Sequence, residues 1–175
     1  YYPHIKKIAI VDTDCHHGDG SQDVYWHDPN VLYISMHQDG RTLYPGSGFT
    51  NEFGGPGALG LTLNVPLPPR TSDRGFLHAI ENLILPVLDE FKPDLIINSA
   101  GQDNHYSDPI TNMNFPAQGY ARYSGNIAPV IGEDRKPVFT GAGHKVASQW
   151  RDSEGRQICY LLYDPELGDV DGNWS

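Results

Sequence analysis

Acidic and imidazole side chains crowd a nine-residue stretch near the start of this chain, in a pattern that could bind a metal ion. The stretch runs from Asp12 to Gly20 and reads DTDCHHGDG, directly after the apolar residues IAIV. Alternate side chains of a strand share a face, so Asp12, Asp14 and His16 are expected on one side. Carboxylates and imidazoles are the ligands of divalent metals such as zinc. An acidic turn explains the pattern less well, because unpaired carboxylates beside a buried strand are costly.

A second acid follows another apolar strand further along the chain. The sequence from Leu95 reads LIINSAGQD and ends at Asp103. Sites in open α/β sheets gather at the carboxyl ends of strands, so we expect Asp103 to meet Asp14 and His16. Three protein ligands leave a position for water, as in catalytic zinc sites. Strand alternation turns Cys15 away from this site and into the core.

The elements that must position these residues indicate an α/β fold, a mostly parallel sheet flanked by helices. Apolar residues at helical spacing predict a helix that Pro86 kinks or splits. A glycine-rich segment at 40–60 is predicted to be a long loop, and its spacing matches no phosphate-binding loop. We expect strands at 7–14, 31–35, 61–65 and 94–99, and helices at 21–27 and 73–91.

Composition limits the classes of function. A chain of 175 residues fits one domain, and its net charge of −10 argues against direct nucleic-acid binding. Two cysteines make no disulfide framework and favour a cytoplasmic location. No apolar run approaches the ~20 residues that cross a bilayer, so no membrane association is predicted. The oligomeric state is not encoded in any of these patterns.

Four sequence blocks resemble, in order, the zinc-dependent histone deacetylase superfamily, which includes acetylpolyamine amidohydrolases and acetoin-utilisation proteins. The blocks are DTDCHHGDG, YISMHQDGRTLYPGSG, LNVPLP and SAGQDNHYSDP, and the resemblance extends from Ile8 to Ala128. It implies a partial or truncated member, whose arginase/deacetylase-like fold we expect to be incomplete in this chain. We expect a deacetylase-like metal-binding core at 1–128 and a divergent segment at 129–175, polar and irregular from Gly132.

The resemblance also implies an activity and a role for each matching residue. The activity is zinc-dependent removal of acetyl groups from the amines of protein lysines or polyamines. Asp14, His16 and Asp103 match zinc ligands. Asp12 and Asp19 match acids that orient catalytic histidines, and Tyr44 matches an aromatic residue of the substrate tunnel. His17 matches a structural imidazole, and a monovalent-cation site, for K⁺, matches Asp12, Asp14, His16, Ser35 and Met36.

Two family features have no match, and this leaves alternatives open. Neither the tandem catalytic histidines nor the Gly-Gly-Tyr block with the oxyanion-stabilising tyrosine is found, and His144 is a weak substitute in a glycine-rich turn. We therefore expect slow turnover, or none, by this chain alone. One alternative is an arginase-type hydrolase with two manganese ions, which would recruit Asp12 and Asp19. The other is a metal-binding remnant without catalysis.

Overall fold

A computed structural model describes residues 5–120 and three later strands of the chain. The strands are β1 (Ile8–Asp12), β2 (Val31–Gln38), β3 (Thr62–Leu67), β4 (Leu95–Ser99), β5 (Val138–Gly141), β6 (Lys145–Arg151) and β7 (Gln157–Tyr163). The helices are α1 (Asp19–Tyr25), α2 (Asp73–Ala79), a π-helical turn (Ile80–Ile84) and α3 (Leu85–Phe91).

The strands form one sheet in the order β3-β2-β1-β4-β7-β6-β5. In this order, each strand from β3 to β7 is parallel to the next. Strand β6 is antiparallel to β7, and β5 is antiparallel to β6. The prediction of a mostly parallel sheet flanked by helices is therefore confirmed. Because β1, β2 and β4 run in the same direction, the loops that follow them emerge at the same edge of the sheet.

The region after Gly132 differs from its sequence-based prediction. It was expected to be irregular, but three strands of the sheet lie in it. The last of them, β7, has the sequence QICYLLY and pairs with β4. Its aromatic and branched residues favour a strand, and the polar residues before it obscured that signal. His144 lies outside the described residues.

The core lies on both faces of the sheet. On one face, residues of β1, β2 and β4 pack against the helical segment, which contributes Phe76, Ile80, Ile84 and Leu88. On the other face, Ile10, Val31 and Tyr33 form a smaller cluster with Tyr25 of α1. Every residue of β2 is buried, including the polar residues Ser35, His37 and Gln38.

Proline interrupts the long helix where the sequence predicts it. Pro86 lies in the first turn of α3, directly after the π-helical turn. Proline has no N–H to donate to the carbonyl four residues earlier, and the wider π turn accommodates this. Helix α1 begins at Asp19, two residues before its predicted start, and the long loop between β2 and β3 has no strand or helix. Among the described residues, no helix is long and apolar enough to span a bilayer.

Candidate metal centre

The structure brings Asp14, His16 and Asp103 together at the carboxyl edge of the sheet. Asp14 and His16 follow β1, and Asp103 follows β4, the parallel neighbour of β1. The Nδ1 atom of His16 lies 2.7 Å from Oδ2 of Asp103 and 3.2 Å from Oδ1 of Asp14. One ligand atom from each residue lies within 4.8 Å of the other two. The three side chains that the sequence pointed to therefore form one cluster.

The donor set and its spacing fit a zinc ion. Tetrahedral zinc with bonds of about 2.0–2.1 Å holds its ligand atoms about 3.3 Å apart. The separations of 2.7 Å and 3.2 Å from the His16 nitrogen are close to that value. All three residues are half-buried, so solvent reaches the cluster and could supply a fourth ligand. The two carboxylates would neutralise the 2+ charge of zinc, and the imidazole would bind as a neutral ligand.

A bend, not continued strand alternation, orients Asp14 and His16. Strand β1 ends at Asp12, and the next residues turn. Oδ1 of Asp12 accepts the backbone N–H of Asp14 at 3.2 Å, and Oδ1 of Asp14 accepts that of His16 at 2.8 Å. Asp12 is not one of the three clustered residues, and its Oδ2 accepts a hydrogen bond from the Tyr33 hydroxyl. The expectation that it faces the same side as Asp14 and His16 stays a prediction. Cys15 is buried in the core, as predicted.

The two ligand-bearing loops are joined directly to each other. The backbone N–H of Thr13 donates to the Ser99 carbonyl at 2.7 Å, and the Asn104 side chain donates to the Thr13 carbonyl at 2.8 Å. The second carboxylate oxygen of Asp103 accepts the Cys15 N–H at 3.0 Å. These contacts fix Asp103 relative to the Asp14–His16 bend before any metal binds.

Gly101 leaves the space that the two carboxylates occupy. A Cβ atom at this position would lie 2.7 Å from Oδ1 of Asp103 and from Cγ of Asp14, and closer still to an Asp14 oxygen. Any larger residue would push the carboxylates aside. Sequence reasoning did not identify Gly101, although its place between β4 and Asp103 was visible.

Two carboxyl groups at this edge, those of Asp12 and Asp103, are harder to ionise than exposed ones. Burial raises the pKa of Asp103, and the neighbouring Asp14 carboxylate raises it further. Burial also raises the pKa of Asp12 to about 6. A cation between the carboxylates of Asp14 and Asp103 would relieve their repulsion. For Cys15, burial raises the pKa of the thiol to about 12, so it is a poor nucleophile.

Three residues of the predicted cation site, Asp12, Ser35 and Met36, lie on the neighbouring strands β1 and β2. The register of β1 and β2 places Asp12 beside Ser35, and Met36 follows Ser35. Asp12, Ser35 and Met36 are all buried. The Asp12 carboxylate accepts a hydrogen bond from the Tyr33 hydroxyl at 3.1 Å. The monovalent cation itself stays a prediction.

Asp19 and Tyr44 are exposed. Asp19 opens α1, and its carboxylate accepts the N–H of Gly20 at 2.8 Å. Tyr44 lies in the loop after β2 with 78% of its surface exposed. Neither belongs to the metal cluster, and the roles predicted for them, in orienting histidines and lining a tunnel, stay predictions.

A buried polar network behind the cluster was largely missed by sequence reasoning. His17, predicted to be structural, is buried, and its two ring nitrogens contact Ser47 at 2.8 Å and Gln22 at 3.1 Å. Its ring lies 4.8 Å from that of His37. The available signal was the high content of polar residues in β2 and α1, but their partners come from other elements. Further members of the network are Asn64 and Glu52.

Comparison with known proteins identifies the family of this chain. A family model described as the histone deacetylase domain matches residues 2–148. The chain belongs to the histone deacetylase family. A probable deacetylase of Archaeoglobus fulgidus is 51% identical over 116 residues. The acetoin utilization protein AcuC of Staphylococcus aureus is 44% identical over 152 residues.

Solved structures of the family have the same fold as this chain. The histone deacetylase Clr3 aligns with a TM-score of 0.68 and 36% identity, over 71% of this chain and 22% of that one. The acetylpolyamine aminohydrolase from Burkholderia pseudomallei aligns with a TM-score of 0.67 and 33% identity, over 70% of this chain and 36% of that one.

The chain is much shorter than its relatives. The match to the Archaeoglobus protein covers 66% of this chain and 32% of that protein. The match to AcuC covers 83% of this chain and 38% of that protein. The chain thus spans about a third of the length of these relatives, and it includes the group of Asp14, His16 and Asp103 at the sheet edge.

Proposed function

We propose that this chain carries the zinc-binding part of a deacetylase, a hydrolase that removes acetyl groups from acetylated lysine or polyamine amines. The observation that supports this is the convergence of Asp14, His16 and Asp103 within 4.8 Å, from two loops of a histone deacetylase domain. The names of its relatives, a probable deacetylase and an acetylpolyamine aminohydrolase, agree with amide hydrolysis.

The proposed ligands are the two carboxylates and Nδ1 of His16. A zinc ion held by them would polarise an amide carbonyl and make a water molecule more acidic. The chain's own residues hold the geometry: Asp103 is fixed by the Cys15 N–H, and Asp14 by the turn that its carboxylate closes. Half-burial of the cluster leaves one side open for an extended acetylated amine.

Catalysis by this chain alone is proposed to be weak. The tandem histidines and the tyrosine of the family have no counterpart in its sequence. Losing an oxyanion donor costs about 10²–10³ in rate, and losing a general base costs about another 10²–10⁴. We therefore expect metal binding without appreciable release of acetate from an acetyl-lysine peptide or an acetylpolyamine.

Metal analysis tests the proposal. The chain is prepared without metal, titrated with Zn²⁺ and Mn²⁺, and the bound metal is counted per chain. We expect one Zn²⁺ per chain, and its loss in Asp14→Asn, His16→Ala and Asp103→Asn, because two remaining ligands hold zinc poorly. Asp89→Asn makes the same chemical change at an exposed position of α3 and should bind zinc as the unmodified chain does.

Other outcomes would point to other functions. Two Mn²⁺ per chain, with zinc bound weakly, would favour an arginase-type hydrolase. Zinc binding that survives Asp103→Asn would mean that the ligand set is wrong. Fast, hydroxamate-sensitive deacetylation by the 175-residue chain would show that the base and the oxyanion donor lie elsewhere in it.

A further inference from the structure

The half-buried carboxylate of Glu52 belongs to the polar network that contains His17. Its oxygens accept the backbone N–H groups of Gly48 and Phe49, at 3.1 Å and 2.9 Å, and the side-chain amide of Gln22, at 2.8 Å. Burial by itself raises the pKa of Glu52, but the hydrogen bonds from Phe49, Gln22 and Gly48 lower it below its ordinary value. Glu52 is therefore ionised near neutral pH and acts only as an acceptor.

This acceptor fixes the direction of the hydrogen bonds that follow. Because Gln22 donates its NH₂ group to Glu52, its carbonyl oxygen faces Asn64 Nδ2 at 2.7 Å and His17 Nε2 at 3.1 Å, and it must accept from both. A neutral His17 therefore carries its proton on Nε2. Its Nδ1 then accepts a hydrogen bond from the Ser47 hydroxyl at 2.8 Å.

The same contacts fasten one segment of the long loop, residues 44–49, which we call the rim. Its turn at Gly48 has a φ of +82°, and a Cβ there would lie 2.6 Å from the His17 ring. The Gly48 carbonyl accepts a hydrogen bond from Nε2 of His37 at 2.9 Å. Ser47, Gly48 and Phe49 are thus held by three side chains, and His17 connects them to its neighbour His16.

We propose that Glu52 is a positioning residue, whose carboxylate orients Gln22 and His17 and so holds the rim in place beside the His16 turn. The consequence for metal binding rests on the proposed function. The consequence for His17 and the rim does not, because it follows from the hydrogen bonds alone. A substitution that turns one Glu52 oxygen into a donor should set donor against donor, either at Gln22 or at the Gly48 turn.

The His17 tautomer can be read directly by ¹⁵N NMR of the imidazole rings in the metal-free chain. For the neutral His17 ring we expect a single Nε2–H form. In Glu52→Gln we expect a mixture or the Nδ1–H form, and at least about ten-fold faster hydrogen exchange at Gly48 and Phe49. Glu52→Asp, which still only accepts, should retain the Nε2–H form.

Two further variants make the result specific. Glu90→Gln repeats the change at an exposed position of α3 and should leave His17 and the rim unaltered. Gln22→Met separates the two halves of the network, so the His17 tautomer should change while Gly48 and Phe49 keep their protection. This variant also provides the test if Glu52→Gln does not fold.

A Co²⁺ titration, followed by the visible absorption of the bound ion, tests the connection to the metal cluster. Glu52→Gln should bind Co²⁺ about ten-fold more weakly than the unmodified chain, as expected for a residue that orients the neighbours of a ligand. A single Nε2–H tautomer in both Glu52→Gln and Gln22→Met would overturn the proposal. So would a changed tautomer with Co²⁺ affinity within about two-fold of the unmodified chain. An unmodified chain that binds no Co²⁺ refutes the proposed function, and the tautomer and exchange data then decide the role of Glu52.

Discussion

Replacing Gly101 by alanine should damage the metal site while leaving the fold intact. Gly101 does not have a left-handed backbone, so alanine can adopt its conformation. The new Cβ would lie 2.7 Å from Oδ1 of Asp103 and from Cγ of Asp14, whereas ordinary contacts begin at 3.4 Å. The carboxylates must therefore retreat by at least about 0.7 Å, because an Asp14 oxygen lies closer still, and this is several times the ~0.2 Å that a metal site tolerates.

A displacement of this size should cost at least about 100-fold in zinc affinity, or about 2.7 kcal/mol, because two of three ligands are moved. The dissociation constant can be measured by competition with a chromophoric chelator. The melting temperature of the metal-free protein should change little, since both carboxylates reach solvent and can turn toward it.

Gly20→Ala is the matched control. Its Cβ would meet no atom within 4 Å, and Gly20 lies in α1. It should leave zinc affinity unchanged and stabilise the helix by up to about 1 kcal/mol. If Gly101→Ala binds zinc within about two-fold of the unmodified chain, the two carboxylates do not hold the metal as we infer.

Two further predictions concern buried groups that titrate abnormally. Cys15 is fully buried and burial raises the pKa of its thiol to about 12, so a thiol reagent should label it only as fast as the chain unfolds. Fast labelling of the folded chain would contradict its position in the core. Burial lowers the pKa of His37 from 6.5 to about 4, so the unfolded chain takes up a proton first as the pH falls. The free energy of unfolding of the unmodified chain relative to His37→Gln should be constant above pH 6.5 and decrease by about 3 kcal/mol toward pH 4. Urea unfolding with a chelator present measures this difference. A difference that does not change with pH would contradict a buried neutral imidazole.

The network around Glu52 could not be predicted from the sequence. Gln22, Glu52 and Asn64 come from a helix, a loop and a strand, and each is an ordinary polar residue in its own segment. Only the packing of these segments places Asn64 Nδ2 at 2.7 Å from the Gln22 oxygen. A hydrogen bond between residues 42 positions apart leaves no periodic signal in the chain.

The later strands were missed for a related reason. Strand β7 is the parallel neighbour of β4, although about 60 residues separate them in the chain. Its sequence has strand character, but β5 and β6 carry polar residues that are common in loops. Strand formation depends on partners as much as on local preference, so single-sequence patterns identify strands of this kind poorly.

The sequence by itself determined the residue types of the metal cluster and the class of fold. Apolar strands ending in DTD and SAGQD predicted acids at one sheet edge, because parallel strands end together. Tertiary structure decided the rest: the bend that aligns Asp14 with His16, and the space that Gly101 leaves for the carboxylates. Local sequence determines which residues follow a strand, but angstrom-scale placement of a ligand depends on contacts between segments that meet only when the chain has folded.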